Sequence, residues 1–450
     1  MSRAAPADFD PTAISAFQFT YRSLQPDGLV RLGYALDDVE FEETLQLPGP
    51  RFRSSPTVEG LLDLLHWVAG ISYFKAAVPR HLVCETGAPP PAAERLLAAL
   101  YSEGLGEFAV VNGLERLPDP QFPRGIDWGA QTSAEPPAAR TLLVPVGGGK
   151  DSAVAIEVAR RSGLETSLFS VGDAPPISAT VRVAGLPRHL VTRTLDPRLF
   201  ELNRAGALNG HIPITAIVSC AALLTAATQG IDAVLMANER SASSGNLTWN
   251  GIEVNHQFSK SRRAERLLAE AVAEIGGAPQ IFSILRPASE LTIARAFATL
   301  TQYHPAFTSC NRVFQLDPQE RLRSWCGDCD KCRFVFLILA PFLSPAELTG
   351  IFGRDLLADA AQYDGFARLA GAGGEKPFEC VGEVDECRAA IELLRRDADW
   401  RERPNVRRLV DELLAARPVR DAELAAALAL SDDHDVPDAL LGPLREVLGA

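Results

Sequence analysis

The chain has 450 residues, of which 47% are hydrophobic and 22% charged, a composition typical of a globular protein with two or three domains. Its formal net charge of −13 argues against a general nucleic-acid binder, because such proteins are usually basic. The first residues lack the apolar core of a secretory signal, and no run of about 18 apolar residues occurs. We therefore expect a cytoplasmic protein without a membrane span, whose eight cysteines serve metals, catalysis or packing.

Residues 1–135 are predicted to form an α+β domain, which we expect to help bind the substrate. The predicted strands cover 16–24, 28–36 and 39–47. The predicted helices cover 58–77 and 92–105. Asp27-Gly28 between the first two strands favours a hairpin. Prolines crowd residues 118–137, which predicts a linker.

Residues 136–345 alternate strand and helix patterns. The predicted strands cover 141–146, 166–172, 189–195 and 232–238. The predicted helices cover 152–163 and 214–230. This alternation is typical of βαβ units, so we expect an α/β, doubly wound parallel sheet whose strand-to-helix loops share one edge. Residues 346–450 are rich in Ala, Leu, Arg and Glu and are predicted to form a mainly helical C-terminal region.

The segment VPVGGGKDSAVAI places three glycines between a strand and a helix, an arrangement that suits phosphate. It lacks the glycine spacing of the Walker loop. The order Gly148-Gly149-Lys150-Asp151-Ser152 instead resembles the PP-loop of the N-type ATP pyrophosphatases, S-G-G-x-D-S, with Gly147 at the usual serine. The alternative is a glycine turn of structural use only.

The PP-loop resemblance implies a fold of the adenine nucleotide alpha hydrolase type that binds ATP and Mg²⁺. Such enzymes cleave ATP between the α- and β-phosphates and adenylate a substrate oxygen. Asp151 would fix the loop or help hold Mg²⁺, while Lys150 would face phosphate or solvent. The residues assigned to the nucleotide are Gly147, Gly148, Gly149, Lys150, Asp151, Ser152, Ser170 and His211.

Four cysteines form a second motif. Cys326, Cys329 and Cys332 have C-x2-C-x2-C spacing, and Cys310 lies sixteen positions before the first of them. Four thiolates can surround Zn²⁺ tetrahedrally and order an otherwise irregular loop, so we predict a structural zinc site. An iron–sulfur cluster and free packed thiols are the alternatives. The deazaguanine-forming nitrile synthases, another PP-loop family, have four cysteines in a similar arrangement.

The segment NERSASSGNLTWNGIEVNHQFSKS, residues 238–261, follows a predicted strand and is dense in polar side chains. A loop of this length and composition at the ligand edge of a sheet indicates recognition and catalysis. Further along, Ser289 and Glu290 near a helix start are ligand contacts or, more simply, capping residues. The cysteines in PFECVGEVDEC, Cys380 and Cys387, are a pair of thiol bases or packing residues.

Together with HWVAGISYFKAAVP and WCGDCDKCRFVFL, these segments resemble the MurL family from about residue 15 to about 390. Its members are ATP-dependent epimerases of UDP-N-acetylmuramoyl-L-alanyl-L-glutamate in bacterial peptidoglycan synthesis. The resemblance implies an acyl-adenylate, release of AMP and pyrophosphate, and proton exchange at the glutamate Cα. The candidate catalytic residues are Asp151, Glu239, Glu253, His256, Lys260 and Cys380.

Two other functions are compatible with the sequence. One is a PP-loop enzyme that adenylates a nucleobase or tRNA, which the four cysteines favour and the acidic charge disfavours. The other is a non-catalytic nucleotide-binding protein, which the presence of Asp151 and Ser152 disfavours. For the favoured function we expect a small-molecule substrate and neither nucleic acid nor membrane as a partner. The sequence does not indicate an oligomeric state.

Overall fold

The computed structural model describes residues 9–49, 52–126, 138–315 and 319–449. The strands are β1 (Ala16–Leu24), β2 (Leu29–Leu36), β3 (Val39–Gln46), β4 (His81–Cys84), β5 (Thr141–Pro145), β6 (Glu165–Val171), β7 (Arg188–Thr194), β8 (Ala233–Met236), β9 (Leu247–Trp249), β10 (Ile252–Val254) and β11 (Gln280–Ser283). The helices up to the end of the sheet are α1 (Pro56–Ala69), α2 (Ile71–Phe74), α3 (Pro91–Ser102), α4 (Gly106–Val111), α5 (Lys150–Arg161), α6 (Pro175–Ala184), α7 (Pro197–Arg204), α8 (Ile214–Gln229) and α9 (Arg262–Ile275). The remaining helices are α10 (Glu290–Thr299), α11 (Asp330–Leu339), α12 (Pro345–Phe352), α13 (Tyr363–Leu369), α14 (Val384–Arg396), α15 (Pro404–Leu409), α16 (Asp421–Leu428) and α17 (Asp438–Leu448).

Nine strands form one sheet in the order β11-β8-β5-β6-β7-β3-β2-β1-β4. From β11 to β7 every neighbouring pair is parallel, and β4 is parallel to β1. The expected α/β class with a parallel sheet is thus confirmed. The N-terminal strands belong to the same sheet, because Thr44 of β3 pairs antiparallel with Thr194 of β7. The remaining two strands, β9 and β10, form a separate hairpin.

Strand β5 lies where the chain reverses its direction across the sheet. The chain passes from β5 to β6 and β7 on one side, then returns to β8 and β11 on the other. Loops at the carboxyl ends of the strands next to such a reversal diverge and leave a crevice in which ligands bind. The three glycines 147–149 follow β5 directly, so they lie at this crevice.

Side chains from successive residues of β5 enter two different hydrophobic cores. Leu142 and Val144 pack in a core with α5, α10 and α11, whereas Leu143 packs in a core with α1 and α8. Since successive side chains of a strand point to opposite faces, the sheet has a helical layer on each side. Such double coverage explains why β5 is a continuous apolar run.

Strands β1, β2 and β3 lie where the sequence predicts them, and one predicted helix differs. The Asp27-Gly28 hairpin is present, and Gly28 has a φ of +89°. The predicted helix 58–77 is instead two helices, α1 and α2, which meet at Gly70. A Cβ at Gly70 would lie 2.6 Å from the Phe19 ring, so a glycine is needed where the helices approach the sheet. Residues 127–137 of the predicted linker lie outside the described residues.

The C-terminal region is helical from α12 to α17, as the sequence predicts. Helix α17 packs against α5 and α10, so the end of the chain returns to the central layer. The apolar run that includes α11 is buried. In the described part of the chain, every helix is too short or too polar to cross a bilayer.

Candidate active site

The glycine loop between β5 and α5 needs glycine at two positions for different reasons. Gly148 has a φ of +79°, and a Cβ there would lie 2.8 Å from the carbonyl carbon of Pro176. A Cβ at Gly149 would lie 2.8 Å from Ser309 Oγ. At Gly147, apart from its chain neighbours, no heavy atom of the described residues lies within 4 Å of such a Cβ. Gly147, the departure from the PP-loop pattern, therefore has room for a side chain.

An acidic cluster lies directly beyond this loop. One carboxylate oxygen from each of Asp151, Glu239 and Glu290 lies within 4.8 Å of the others. The Lys150 side chain is 2% exposed and contacts both Asp151 and Glu290. Lys150 therefore neither reaches solvent nor faces outward from the loop. Its ammonium is paired with two of the three carboxylates. The three carboxylates together can also hold a divalent cation.

Burial and neighbouring charges shift the pKa values of the three carboxyl groups in different directions. Burial raises the pKa of Glu290 to about 7 and raises the pKa of Glu239 as well. Burial also acts on Asp151, but Lys150 and Lys331 outweigh it and hold the pKa of that carboxyl below its usual value. Asp151 is therefore an anion at neutral pH, while Glu290 is poised to gain or lose a proton.

Two predicted nucleotide contacts flank the loop. Ser152 is buried, and its hydroxyl donates to the carbonyl of Gly149 at 2.9 Å, which stabilises the first turn of α5. Ser170 lies at the end of β6, and its hydroxyl is buried without a hydrogen-bond partner among the described residues. Buried hydroxyls are normally paired, so Ser170 Oγ is available to a ligand in the crevice.

The polar segment 238–261 is held in place by Arg286, which is 2% exposed. Its guanidinium donates to the backbone carbonyls of Glu239 and Lys260, and it pairs with the Glu265 carboxylate at 2.8 Å. One buried side chain therefore fixes both ends of the segment. As a result, the side chains of Glu239 and Lys260 are presented to the same space.

A C-terminal segment, residues 376–381, packs against the polar segment 238–261, which we call the polar loop. The Asn246 side chain donates to the Pro377 carbonyl at 2.7 Å and accepts from the His256 amide at 2.8 Å. Gln257 donates to the Val381 carbonyl at 3.2 Å. These bonds place Cys380 next to the loop, with its Sγ 3.6 Å from Lys260 Nζ.

Positive charges surround the Cys380 thiol. Burial raises the pKa of Cys380, but Lys260, a hydrogen bond from His256 and Lys331 together lower the pKa to about 5. Burial likewise lowers the pKa of His256, while its bonds to Cys380 and Glu107 raise that pKa to about 9. At neutral pH this arrangement is a thiolate beside an imidazolium and an ammonium. A thiolate is the form of cysteine that accepts protons and acts as a nucleophile.

Lys260 connects the thiolate to the acidic cluster. Burial opposes its charge, but Cys380, Glu239, Asp151 and Glu290 raise the pKa of Lys260 overall. The ammonium therefore faces anions on both sides. The predicted residues Asp151, Glu239, Lys260, His256 and Cys380 are thus brought together in one crevice.

Other sequence candidates lie elsewhere or have structural contacts. Glu253 is exposed on the β9–β10 hairpin, where it accepts from the Gly245 amide at 3.1 Å. Cys387 packs in the hydrophobic core, and burial raises its pKa. Ser289 caps α10 by accepting from the Thr292 amide. His211 stacks on His256, with ring centroids 4.2 Å apart, and burial and the charge of His256 lower the pKa of His211 to about 4.

The four predicted metal ligands converge. Sulfur–sulfur distances are 3.9 Å for Cys310–Cys329, 3.6 Å for Cys326–Cys332 and 3.4 Å for Cys329–Cys332. Four sulfurs placed tetrahedrally about 2.3 Å from a zinc ion would be about 3.8 Å apart. Gly327 has a φ of +65°, which forms the turn between the first two ligands of the triplet. The cluster can therefore hold a metal ion, and its donor set suits zinc.

The cysteine cluster is also joined to the crevice. Lys331, between two of the cysteines, donates to the Cys380 carbonyl. Asn311, next to Cys310, donates to the Glu379 carboxylate at 2.5 Å. Ordering of the cysteine loop therefore supports the segment that carries the thiolate.

Four side chains of this site are absent from the sequence predictions. Lys331 and Glu379 are immediate neighbours of predicted residues, so proximity along the chain was a usable clue. Arg286 and Glu107 follow no motif. Their roles arise from packing between segments that are far apart in sequence.

Comparisons with known proteins agree with this architecture. A family model described as the MurL N-terminal domain matches residues 8–284, and one described as the MurL C-terminal domain matches residues 306–424. The chain belongs to the MurL family. The resemblance seen in the sequence is therefore confirmed, and both matched domains contribute residues to the crevice of this MurL-family protein.

Three relatives are named UDP-N-acetyl-alpha-D-muramoyl-L-alanyl-L-glutamate epimerase. The relative from a Micromonospora species is 46% identical over 87% of this chain and 86% of its own length. The one from Xanthomonas oryzae pv. oryzae is 40% identical over 97% and 98%. The one from Salinispora tropica is 45% identical over 87% and 84%. No solved structure matches this MurL-family chain.

Proposed function

We propose that this protein inverts the terminal L-glutamate of UDP-N-acetylmuramoyl-L-alanyl-L-glutamate to D-glutamate, in peptidoglycan precursor synthesis. ATP is consumed, and AMP and pyrophosphate are released. The observation that carries the proposal is the thiolate pocket formed by Cys380, Lys260 and His256, which lies beside the acidic cluster and the glycine loop. The names of three relatives at 40–46% identity supply the substrate.

The nucleotide would bind at the glycine loop, which we interpret as a PP-loop. Its position after β5, at the chain reversal of the sheet, supports this interpretation. The close approach of Gly148 to Pro176 and the unpaired hydroxyl of Ser170 also support it. Backbone amides at the start of α5 would hold the phosphates, since Gly147 offers no hydroxyl.

Asp151, Glu239 and Glu290 would hold Mg²⁺. Carboxylate oxygens are the ligands that Mg²⁺ prefers, and three of them converge here. When bound, the ion supplies positive charge that stabilises the departing pyrophosphate. The pKa of Asp151 is held below its usual value, so Asp151 is the member of the group best prepared to bind the cation.

Activation by ATP would make the Cα proton of the substrate glutamate acidic enough to be removed. Removal of the Cα proton beside a free carboxylate places a second negative charge next to the first. Attack of that carboxylate on the α-phosphate gives an acyl-adenylate, which removes the charge and makes the carbonyl an electron sink. The Cα–H bond then breaks, and the electron pair moves into the carbonyl to form an enolate.

The Cys380 pocket would handle the proton. A thiolate with a pKa near 5 accepts the Cα proton, and Lys260 lies where its ammonium can balance the enolate charge. Return of a proton to the other face of Cα, followed by hydrolysis, gives the D-isomer and AMP.

The four cysteines would bind structural zinc. The ion would add no step to the reaction, because the cluster has four protein ligands and leaves no open position. Its contribution is to order the loop that carries Lys331 and Asn311.

The test uses purified protein, ATP, Mg²⁺ and the UDP-muramoyl dipeptide in deuterium oxide. We expect AMP, pyrophosphate and a D-glutamyl product that carries deuterium at Cα, all of which disappear when ATP is omitted. Inversion without ATP consumption would refute the adenylation route. AMP formation only with a deazapurine carboxylic acid would instead favour the nucleobase-modifying function, and absence of any turnover would favour a binding protein.

A further inference from the structure

The N-terminal part of the chain reaches the thiolate pocket through one carboxylate. Glu107 on α4 contacts His256 Nδ1, and its side chain is 14% exposed. The same imidazole lies close enough to the Cys380 thiol to lower its pKa. These interactions connect three separate parts of the chain. Glu107 belongs to the N-terminal region, His256 to the polar loop and Cys380 to the C-terminal segment.

The approach of α4 to the polar loop is built into the sequence. A Cβ at Gly106 would lie 3.0 Å from Val254 Cγ1, and a Cβ at Gly104 would lie 3.1 Å from the Pro213 ring. These two glycines allow the backbone near Glu107 to come closer than larger residues would. The Asn112 side chain, directly after the last residue of α4, donates to the Asn209 carbonyl at 3.0 Å and fixes the loop that carries His211.

We infer that Glu107 is a positioning residue for proton transfer: its carboxylate orients the His256 imidazolium and thereby keeps Cys380 as the thiolate that takes the Cα proton. The inference rests on the proposed function for the reaction itself. It gives the N-terminal region a part in proton transfer, in addition to the substrate binding that we expect from the sequence.

The chemistry follows from the two ends of the imidazole. Glu107 accepts from Nδ1, which fixes the ring orientation and favours the protonated form. The imidazolium then donates toward the Cys380 sulfur and stabilises its negative charge. In the reaction the Cα–H bond breaks, the S–H bond forms, and the electron pair passes to the activated carbonyl of the substrate.

Several charged groups besides Glu107 set the protonation of this pair. Those that face Cys380 are His256, Lys260, Lys331 and Glu379. Those that face His256 are Glu107, Cys380, His211 and Glu379. Loss of Glu107 alone should therefore raise the pKa of Cys380 only in part, because Lys260 and Lys331 still lower it.

The test compares Glu107→Gln with Glu103→Gln in the full-length protein. Glutamine keeps the size and an acceptor oxygen but removes the charge. Glu103 is a matched carboxylate near the same helix, and it pairs instead with the exposed Arg263 at 2.7 Å. The first measurement is the rate of Cys380 alkylation by iodoacetamide between about pH 4 and 9, which requires no substrate.

We expect Glu107→Gln to raise the apparent pKa of Cys380 by about one to two units. We also expect it to slow ATP-dependent deuterium exchange at the glutamate Cα by about 10²-fold. Glu103→Gln should match the wild type in both measurements. ATP–pyrophosphate exchange, which requires only the activation step, should survive in both variants and shows that each is folded.

A second experiment asks whether Glu107 acts through His256. In a His256→Gln background, Glu107→Gln should cause little further loss, because a residue that acts through another has no separate effect once that partner is removed. Full additivity would overturn the inference, as would an unchanged alkylation profile in Glu107→Gln. Failure of the wild type to consume ATP or exchange deuterium would refute the proposed function instead, since the alkylation profile does not depend on turnover.

Discussion

Substitution of Gly148 by alanine is the most direct test of whether the glycine loop binds the phosphates of ATP. The left-handed backbone at Gly148 costs an L-residue about 1–2 kcal/mol. The new Cβ would also lie 2.8 Å from the carbonyl carbon of Pro176 and 2.9 Å from the Ile177 amide nitrogen. Carbon atoms normally approach to about 3.5 Å, so the overlap with backbone is about 0.7 Å.

Overlap of this kind costs a further ~1–3 kcal/mol in a packed environment. The loop and the start of α6 must separate to relieve it, which moves the amides that would bind phosphate. Because each 1.4 kcal/mol corresponds to tenfold in rate, we expect kcat/KM for AMP release to fall by at least about 10²-fold.

Gly163→Ala is the matched control. Gly163 follows the other end of α5 and also has a positive φ, +71°, but no described heavy atom beyond its neighbours lies within 4 Å of a Cβ there. It should lose about 1 kcal/mol of stability and keep AMP release. Equal AMP release by the two variants, measured by coupled assay alongside urea unfolding, would refute the assignment of the loop to ATP.

Three further predictions concern the crevice and the cysteine cluster. Cys380→Ser should retain ATP-dependent AMP release but lose deuterium exchange at Cα by NMR, since a serine hydroxyl is not ionised at neutral pH. Asp151→Asn should lose AMP release while Cys380 still alkylates rapidly at pH 6, because Lys260, His256 and Lys331, rather than the glycine loop, lower the pKa of Cys380. Cys326→Ala should lower the bound metal measured by elemental analysis and reduce epimerisation, because the support for the Cys380 segment is lost.

A specific result would contradict each of these three predictions. Deuterium exchange by Cys380→Ser at the wild-type rate would exclude the thiolate as the base. AMP release by Asp151→Asn would remove that carboxylate from the nucleotide site. Full metal content in Cys326→Ala would show that the ion binds elsewhere, and a matched Cys220→Ala variant, in the buried core of α8, controls for loss of any cysteine.

Local features of the sequence predict the parts of the site that depend on short spacing. The glycine loop was recognisable because one strand, three glycines and one helix are contiguous. The four cysteines were recognisable because three of them lie within seven residues. The density of donors and acceptors in the polar loop predicts a ligand site, although Glu253 within the loop is exposed on a hairpin.

Other parts depend on contacts between distant segments, which no local pattern reports. Arg286 looks like an ordinary residue of a turn, yet it joins two carbonyls and a carboxylate from three places in the polar loop and α9. Lys150 occupies a variable position of its motif, and only the fold shows that Glu290 lies against it. Only the fold shows why glycine stands at position 70, where the predicted helix breaks, because a Cβ there would lie 2.6 Å from the Phe19 ring of β1.

The antiparallel pairing of β3 with β7 has a consequence for folding during synthesis, because β3 leaves the ribosome long before its partner. Glu43, beside the pairing residues, forms an ion pair with Arg193, 150 positions later. At about 5–20 residues per second, the ribosome needs roughly 8–30 s to deliver the second partner after the first. During that interval β3 has an unsatisfied edge, the kind of surface that recruits other strands and aggregates. A fragment that stops before β5 would keep that edge permanently, so recombinant expression of the first 135 residues alone should yield inclusion bodies.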